Sequence, residues 1–252
     1  SLWRSVDTAT DRRCRSLRRR RHPGLNIPYS LPTEVAAVAC DFDGTLVWKD
    51  NVVPTRTRVA IERLQTEGIP VLIATGRMYR SIKPHVSDLG LDNPVICYQG
   101  AVVADPTTDE FLLHEPIPID LAREAIAAVE AEAFSLNCYV DDTLYVKEST
   151  PESERYAGFQ NLSVHPVGDI QTWLDKSPTK LVAIGEPSLV DKLEIRMKDL
   201  FGDRLFISKS LPHFLEFASP QVSKGSGLAF VAERLGFQLG QTIALATART
   251  TW

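Results

Sequence analysis

What the sequence lacks narrows the field first. No uninterrupted apolar run approaches the roughly 18 residues that a membrane-spanning helix needs, which excludes an integral membrane protein. The basic N-terminal stretch has no apolar segment of the kind a secretory signal carries. Cysteine is sparse: Cys14, Cys40, Cys97 and Cys138 stand 26, 57 and 41 residues apart, and no pair has the spacing of a metal knuckle or a redox motif. They read as buried free thiols in a reducing compartment, here taken as the cytoplasm. His22, His85, His114, His165 and His213 are equally scattered, so a zinc cluster is not expected. Apolar residues make up 44% and charged residues 24%, which argues against a disordered or fibrous chain.

The formal charge of −4 hides two unlike parts. Residues 1–23 hold eight arginines against Asp7 and Asp11, a net of +6, so the remainder carries −10. That acidity disfavours a nucleic-acid partner for the folded part. The basic leader, about residues 1–30, is open to three readings: a disordered or mistranslated tail, an organellar presequence, or a polyanion-binding arm. Pro23-Gly24 marks a boundary, with ordered structure expected from Leu31-Pro32.

Along the chain, Val35 to Cys40 is a small-apolar run that fits a strand buried on both faces of a parallel sheet, and it ends in Asp41-Phe42-Asp43-Gly44-Thr45. Pro54-Thr55 opens a helix closed by Gly68, and Pro70 to Ala74 is a second buried strand ending in Thr75-Gly76-Arg77. Val95 to Tyr98 follows after another helix. This alternation predicts an α/β fold, a doubly wound, mostly parallel, Rossmann-like core. From about residue 101 the pattern changes. Hairpins are expected at 101–113 and 138–146. A helix is expected from Asp120 as its cap, and another from Ser188 with Asp191 completing a capping box and Leu189, Leu193, Met197 and Leu200 on one stripe. Strands are expected at 180–185, 205–207 and 214–217. The α/β pattern resumes at Ser223-Lys224-Gly225, and Gln241 to Leu245 begins a last buried strand. The expected division is a core of residues 31–104 and 213–252, with an α+β cap of residues 105–212 inserted in it.

Ligands of an open parallel sheet bind beyond the carboxyl ends of its strands. Asp41 and Asp43 stand there, two apart, so that both can face one site. A carboxylate so placed can hold Mg²⁺ or attack phosphorus, and a second can move protons. Gly44 permits a sharp turn whose N–H groups suit a phosphate, as do Thr75, Gly76 and the charge of Arg77. Lys224 can neutralise phosphate and nucleophile together. The bland alternative to this set is an Asp-rich turn and a surface lysine.

In their order, Asp41-Phe42-Asp43-Gly44-Thr45-Leu46, Ala74-Thr75-Gly76-Arg77 and Ser223-Lys224-Gly225 resemble the motifs of the haloacid dehalogenase-like (HAD) hydrolases. The likeness is greatest to the Cof-type (class IIB) phosphatases, whose cap is inserted between the second and third motifs. Gln99-Gly100-Ala101 and Phe214-Leu215-Glu216 fit that layout too. The resemblance implies a Mg²⁺-dependent phosphatase of small phosphorylated metabolites (sugar phosphates, nucleotides or vitamin phosphates) acting through an aspartyl-phosphate. By the same resemblance Asp41 is the nucleophile, Asp43 the general acid/base, and Thr75 and Lys224 the phosphate and charge partners. Mg²⁺ is then held by the Asp41 carboxylate and the Asp43 main-chain carbonyl. Tyr139, Asp141, Tyr145 and Phe214 are candidates for specificity in the cap.

The family's fourth motif, Gly-Asp-x-x-Asn-Asp, is absent. After Ile243-Ala244-Leu245 the chain reads Ala246-Thr247-Ala248-Arg249-Thr250-Thr251-Trp252. Those residues can be encoded so that the frame one base earlier spells Gly-Asp-Gly-Ala-Asn-Asp-Met, which leads us to expect a frameshift near codon 245. Two further readings stand beside the phosphatase: a catalytically impaired remnant without its metal-binding motif, and a phospho-receiver domain. The latter is disfavoured by the length and the inserted cap.

Overall fold

In the computed structural model, residues 34–47 and 51–247 are described; the basic leader and the last five residues lie outside them. The short core runs predicted from sequence pair as β1 (Ala37–Asp41), β2 (Val71–Ala74), β3 (Val95–Cys97) and β12 (Thr242–Leu245), all parallel in the order β12-β1-β2-β3. Strand β12, at the end of that order, is half-buried to exposed rather than the buried strand expected. The antiparallel β4 (Val102–Ala104) and β5 (Phe111–His114) extend that sheet from β3. Alternate residues of β1 and β2 enter different layers, as the two-residue period of a strand requires. Val38, Cys40, Val71 and Ile73 pack toward the helices α1 (Thr55–Thr66) and α2 (Tyr79–Asp88), which bring Ile61, Ile82 and Val86. Ala37, Ala39, Leu72 and Ala74 pack under Leu228 and Val231 of α7 (Lys224–Leu235) on the other face. Helices on both faces are the doubly wound arrangement.

The second sheet has the order β10-β11-β9-β6-β7-β8. Its strands are β6 (Ser135–Val140), β7 (Thr143–Val146), β8 (Val164–Pro166), β9 (Lys180–Ile184), β10 (Phe206–Leu211) and β11 (Phe214–Ala218). The helices α3 (Ile119–Ala131) and α6 (Pro187–Phe201) cover one of its faces through Ile126, Val129, Leu193, Met197 and Phe201. Two short helices, α4 (Pro151–Phe159) and α5 (Ile170–Trp173), carry the connections. Among the described residues no helix is long and apolar enough to cross a membrane.

The sheet pairing differs from the sequence expectation at both ends of the inserted block. Strand β5 hydrogen-bonds to β4 in the first sheet, whereas β11 pairs with β9 and β10 in the second. The crossings therefore fall after His114 and after Ala218 rather than at 105 and 212. Local pattern cannot locate them, because a hairpin reads the same in either sheet. Two helix starts also shift. Pro118, not Asp120, precedes α3, and Glu186 precedes α6 with no side-chain cap; Asp191 instead pairs with Lys209. On α6 the buried stripe is Val190, Leu193, Met197 and Phe201, leaving Leu189 and Leu200 exposed. Cys40, Cys97 and Cys138 are buried free thiols; burial pushes Cys40 and Cys138 up to about 12 and Cys97 well above its ordinary value, so all three stay protonated.

Candidate active site

Strand β1 delivers Asp41 at its carboxyl end, where the sheet stops and a tight loop begins. Asp41 Oδ1 accepts two hydrogen bonds, from Phe42 N and from Lys224 Nζ, each at 2.8 Å. Both members of the ion pair are nearly buried, with 8% of the Asp41 side chain and 5% of the Lys224 side chain exposed. Their separation by 183 residues is bridged by how α7 starts. Ser223 caps it reciprocally with Ser226, which fixes Lys224 at the first helical position. Gly100 then lets the turn after β3 press against that cap: its φ is +105°, and a Cβ there would lie 1.9 Å from the Ser223 carbonyl oxygen.

The loop after β1 closes on itself. The N–H groups of Leu46 and Val47 donate to the Phe42 carbonyl, and Gly44 N donates to Val47 O at 2.8 Å. Sequence reasoning offered the Gly44 N–H to a phosphate; the turn itself consumes it. What Gly44 contributes is a left-handed φ of +78° and a close approach to Thr247, whose Cγ2 would lie 3.3 Å from a Cβ there.

Strand β2 delivers the second loop. Thr75 is fully buried, and its hydroxyl accepts Arg77 N at 3.1 Å. The Arg77 guanidinium grips Asp43 in a fork, Nη2 to Oδ1 at 2.6 Å and Nε to Oδ2 at 2.9 Å, while Nη2 also donates to Asn51 Oδ1. It lies 4.8 Å from the centre of the Phe42 ring. Arg77 thus orients Asp43 and is not held out as a separate phosphate ligand. Gly76 lines the cavity, and its N–H has no backbone acceptor among the described residues.

That cavity, of about 320 Å³, is bounded on one side by Asp41, Asp43, Gly76, Arg77, Gln99, Lys224 and Thr247. Its other wall comes from the second sheet and α4: Tyr156, Lys180, Phe206, Ser208, Phe214 and Glu216 are the principal contributors. Of the four expected specificity residues only Phe214 lines it. Tyr139 lies beneath, its hydroxyl donating to Tyr156 at 2.6 Å; Asp141 pairs with Lys176; and Tyr145 stacks on Trp173. Sequence patterning assigned no role to Lys180 or Asp142, and noted Glu216 only within the Phe214-Leu215-Glu216 stretch of the family likeness. Lys180 donates to the Gly76 carbonyl at 2.9 Å and stands over the Tyr98 and Tyr139 rings. Asp142, in the β6–β7 turn, accepts Tyr79 N, Arg80 N and Tyr98 OH, so it caps α2 from the other sheet. No local signal marks either one, since their partners lie 104 and about 63 residues away.

No cluster of three or more potential acidic, His or Cys metal ligands occurs among the described residues. Among the described residues the Asp41 carboxylate is one oxygen donor at the site, and the Asp43 main-chain carbonyl is the second that the resemblance implies. Asp43's own carboxylate oxygens are both engaged by Arg77. Mg²⁺ accepts such a sparse protein set when substrate phosphate and water complete the octahedron, so the residues fit a weak site.

The sequence profile of the haloacid dehalogenase-like hydrolases matches residues 38–245. The chain belongs to that family. Its likeness is to the Cof-type members, and the curated relatives it resembles are named as phosphatases. It is 27% identical over 218 residues to the HMP-PP phosphatase of Klebsiella pneumoniae, covering 83% of this chain and 76% of that one. It is 25% identical over 218 residues to the 5-amino-6-(5-phospho-D-ribitylamino)uracil phosphatase of Bacillus subtilis, covering 85% and 80%. A haloacid dehalogenase-like hydrolase of Bacteroides thetaiotaomicron has the same fold, with a TM-score of 0.77 at 19% identity over 84% of this chain and 82% of that chain.

Proposed function

We propose that this HAD phosphatase hydrolyses small phosphorylated metabolites through a phosphorylated Asp41. The observation that carries this is the Lys224-held Asp41 carboxylate on the floor of the cavity, with Asp43 and Gly76 beside it. Lys224 holds the Asp41 carboxylate in place at 2.8 Å, and the Gly76 loop orients a phosphoryl oxygen. Asp41 Oδ attacks phosphorus; the ester P–O bond breaks and Asp43 gives the leaving oxygen its proton. Asp43, now a base, takes a proton from the water that attacks the aspartyl-phosphate, releasing phosphate and restoring Asp41. Thr75 acts from below, fixing the Gly76–Arg77 turn; Arg77 holds Asp43 in a fork through both oxygens, so Asp43 must turn out of that fork to carry the proton. The second sheet covers the reacting groups and limits bulk water. Mg²⁺, held by the Asp41 carboxylate and Asp43 carbonyl, would supply neutralising charge on the phosphoryl group.

Hydrolysis of p-nitrophenyl phosphate with Mg²⁺ tests the reading. Turnover by the intact chain, lost in Asp41→Asn and accompanied by an acid-stable, hydroxylamine-sensitive phosphoryl label on Asp41, supports it. The sparse donor set favours one second reading, a chain that binds phosphorylated ligands without turning them over. Saturable phosphate-ester binding without hydrolysis at any Mg²⁺ concentration would select it.

A further inference from the structure

Glu216 has no place in the chemistry above, yet it is a costly residue to put where it is. Strand alternation sends Leu215 and Phe217 of β11 into the core under α3 and α6, and Phe214 and Glu216 to the opposite face, onto the cavity above Asp41. The Glu216 side chain is nine-tenths buried, 10% exposed. Among the described residues its nearest cation is Lys180 Nζ at 3.6 Å, beyond hydrogen-bond length, and it accepts no hydrogen bond. Lys180 spends its short contact on the Gly76 carbonyl instead. The remaining contact of Glu216 with water is through the cavity, so a ligand that fills the cavity displaces that water and must supply a donor in its place. The same wall offers Ser208 as a neutral polar group and Phe206, Tyr156 and Phe214 as apolar surface, the last two in edge contact at 4.9 Å.

We propose that Glu216 is the specificity-determining acceptor for the leaving group. The substrate is then a phosphomonoester whose alcohol part carries hydroxyl or amino hydrogen-bond donors and no second anion at its far end. Lys180 sets the geometry: tied to the Gly76 carbonyl on one side and facing Glu216 on the other, it holds the acceptor at a fixed distance from the phosphate loop. A carboxylate or second phosphate at that end meets Glu216 as a like charge, and burial sharpens the rejection. This rests on the phosphatase reading above and adds the chemistry of the substrate's other half.

The test uses the full chain and two pairs of esters that differ only in CH₂OH against COO⁻ at the far end: glycerol 3-phosphate with 3-phosphoglycerate, and sorbitol 6-phosphate with 6-phosphogluconate. The hydroxyl ester is expected to be favoured by about tenfold or more in kcat/KM in at least one pair. In Glu216→Gln that ratio collapses toward one, because the amide no longer repels the carboxylate. A merely structural lesion lowers both esters alike and leaves the ratio where it was. The same ratio, read as thermal upshift by the four esters on Asp41→Asn, needs no turnover. Discrimination in binding together with no hydrolysis by the unaltered chain therefore keeps this inference and sinks the phosphatase reading. Hydrolysis or binding with no preference in either pair, a preference for the carboxylate ester, or a ratio unchanged in Glu216→Gln overturns it.

Discussion

Replacing Lys224 by Met is the sharpest perturbation of the site. The ammonium sits 2.8 Å from Asp41 Oδ1, and both side chains are almost fully out of water. At that separation the gross attraction is about 6 kcal/mol at an effective dielectric constant of about 20, much of it offset by the cost of desolvating two ions. The pair's net worth is therefore small, but the penalty for breaking it is not. Lys224→Met leaves Asp41 charged and buried, with Phe42 N as the remaining donor identified on Oδ1. The expected loss is about 3–5 kcal/mol in urea unfolding followed by circular dichroism. For a folded part of this size that is a fall of roughly 6–20 °C in Tm. Asp41→Asn/Lys224→Met removes both charges and should recover about 2 kcal/mol or more of that loss, giving a coupling energy between the two sites. Both variants should be inactive toward p-nitrophenyl phosphate. If Lys224→Met costs less than about 1 kcal/mol, or if the double variant loses the sum of the single losses, the buried pair is not what the geometry implies.

Other expectations follow from neighbouring features. Thr247 lines the cavity beside Asp41 and Asp43, so Thr247→Asp should raise Mg²⁺ affinity about tenfold or more, about 1.4 kcal/mol, measured by the Mg²⁺ dependence of thermal stability; an unchanged dependence means that residue 247 does not reach the metal. Gly100→Ala puts a Cβ 1.9 Å from the Ser223 carbonyl oxygen at a φ of +105°, and should cost about 2–4 kcal/mol in urea unfolding; a loss within 0.5 kcal/mol, a bound taken from ordinary surface substitutions, contradicts the close approach. Burial raises the Asp142 carboxyl above its ordinary 3.8, against the lowering effect of the Tyr98, Tyr79 and Arg80 donors. The folded state therefore holds that proton more tightly than the unfolded chain. Its contribution is complete below the ordinary 3.8 and is lost as pH rises through the raised value, so wild type should lose stability relative to Asp142→Asn as pH rises from 3.8 toward neutrality. A relative gain over that range reverses the sign and rejects the burial argument.

How much of this was legible in the sequence divides along one line, the distance in sequence over which a group finds its partner. The placing of Asp41, Asp43 and Gly76 together was legible because strand ends in a parallel sheet put them in one crevice, and strand ends can be read from runs such as Val35 to Cys40. Even there, hydrogen-bond accounting changed three roles: the Gly44 N–H is spent on Val47, Arg77 is spent on Asp43, and Thr75, fully buried and off the cavity lining, accepts Arg77 N. The other half of the cavity was not legible. Lys180 and Glu216 each sit in strands whose apolar neighbours announce a sheet, but nothing local says which face turns toward Asp41 or that an inserted sheet lies over it. Asp142 is the clearest case. It looks like an ordinary turn residue between two strands, yet it supplies the cap that α2 lacks, two residues beyond the arginine that aims Asp43. A helix start with no capping side chain of its own leaves N–H donors needing a partner, and in a buried setting that partner must come from elsewhere in the fold. Met78 at the start of α2 was that signal in the sequence: a missing local cap indicates that another part of the chain must dock there, though only the tertiary structure can say which.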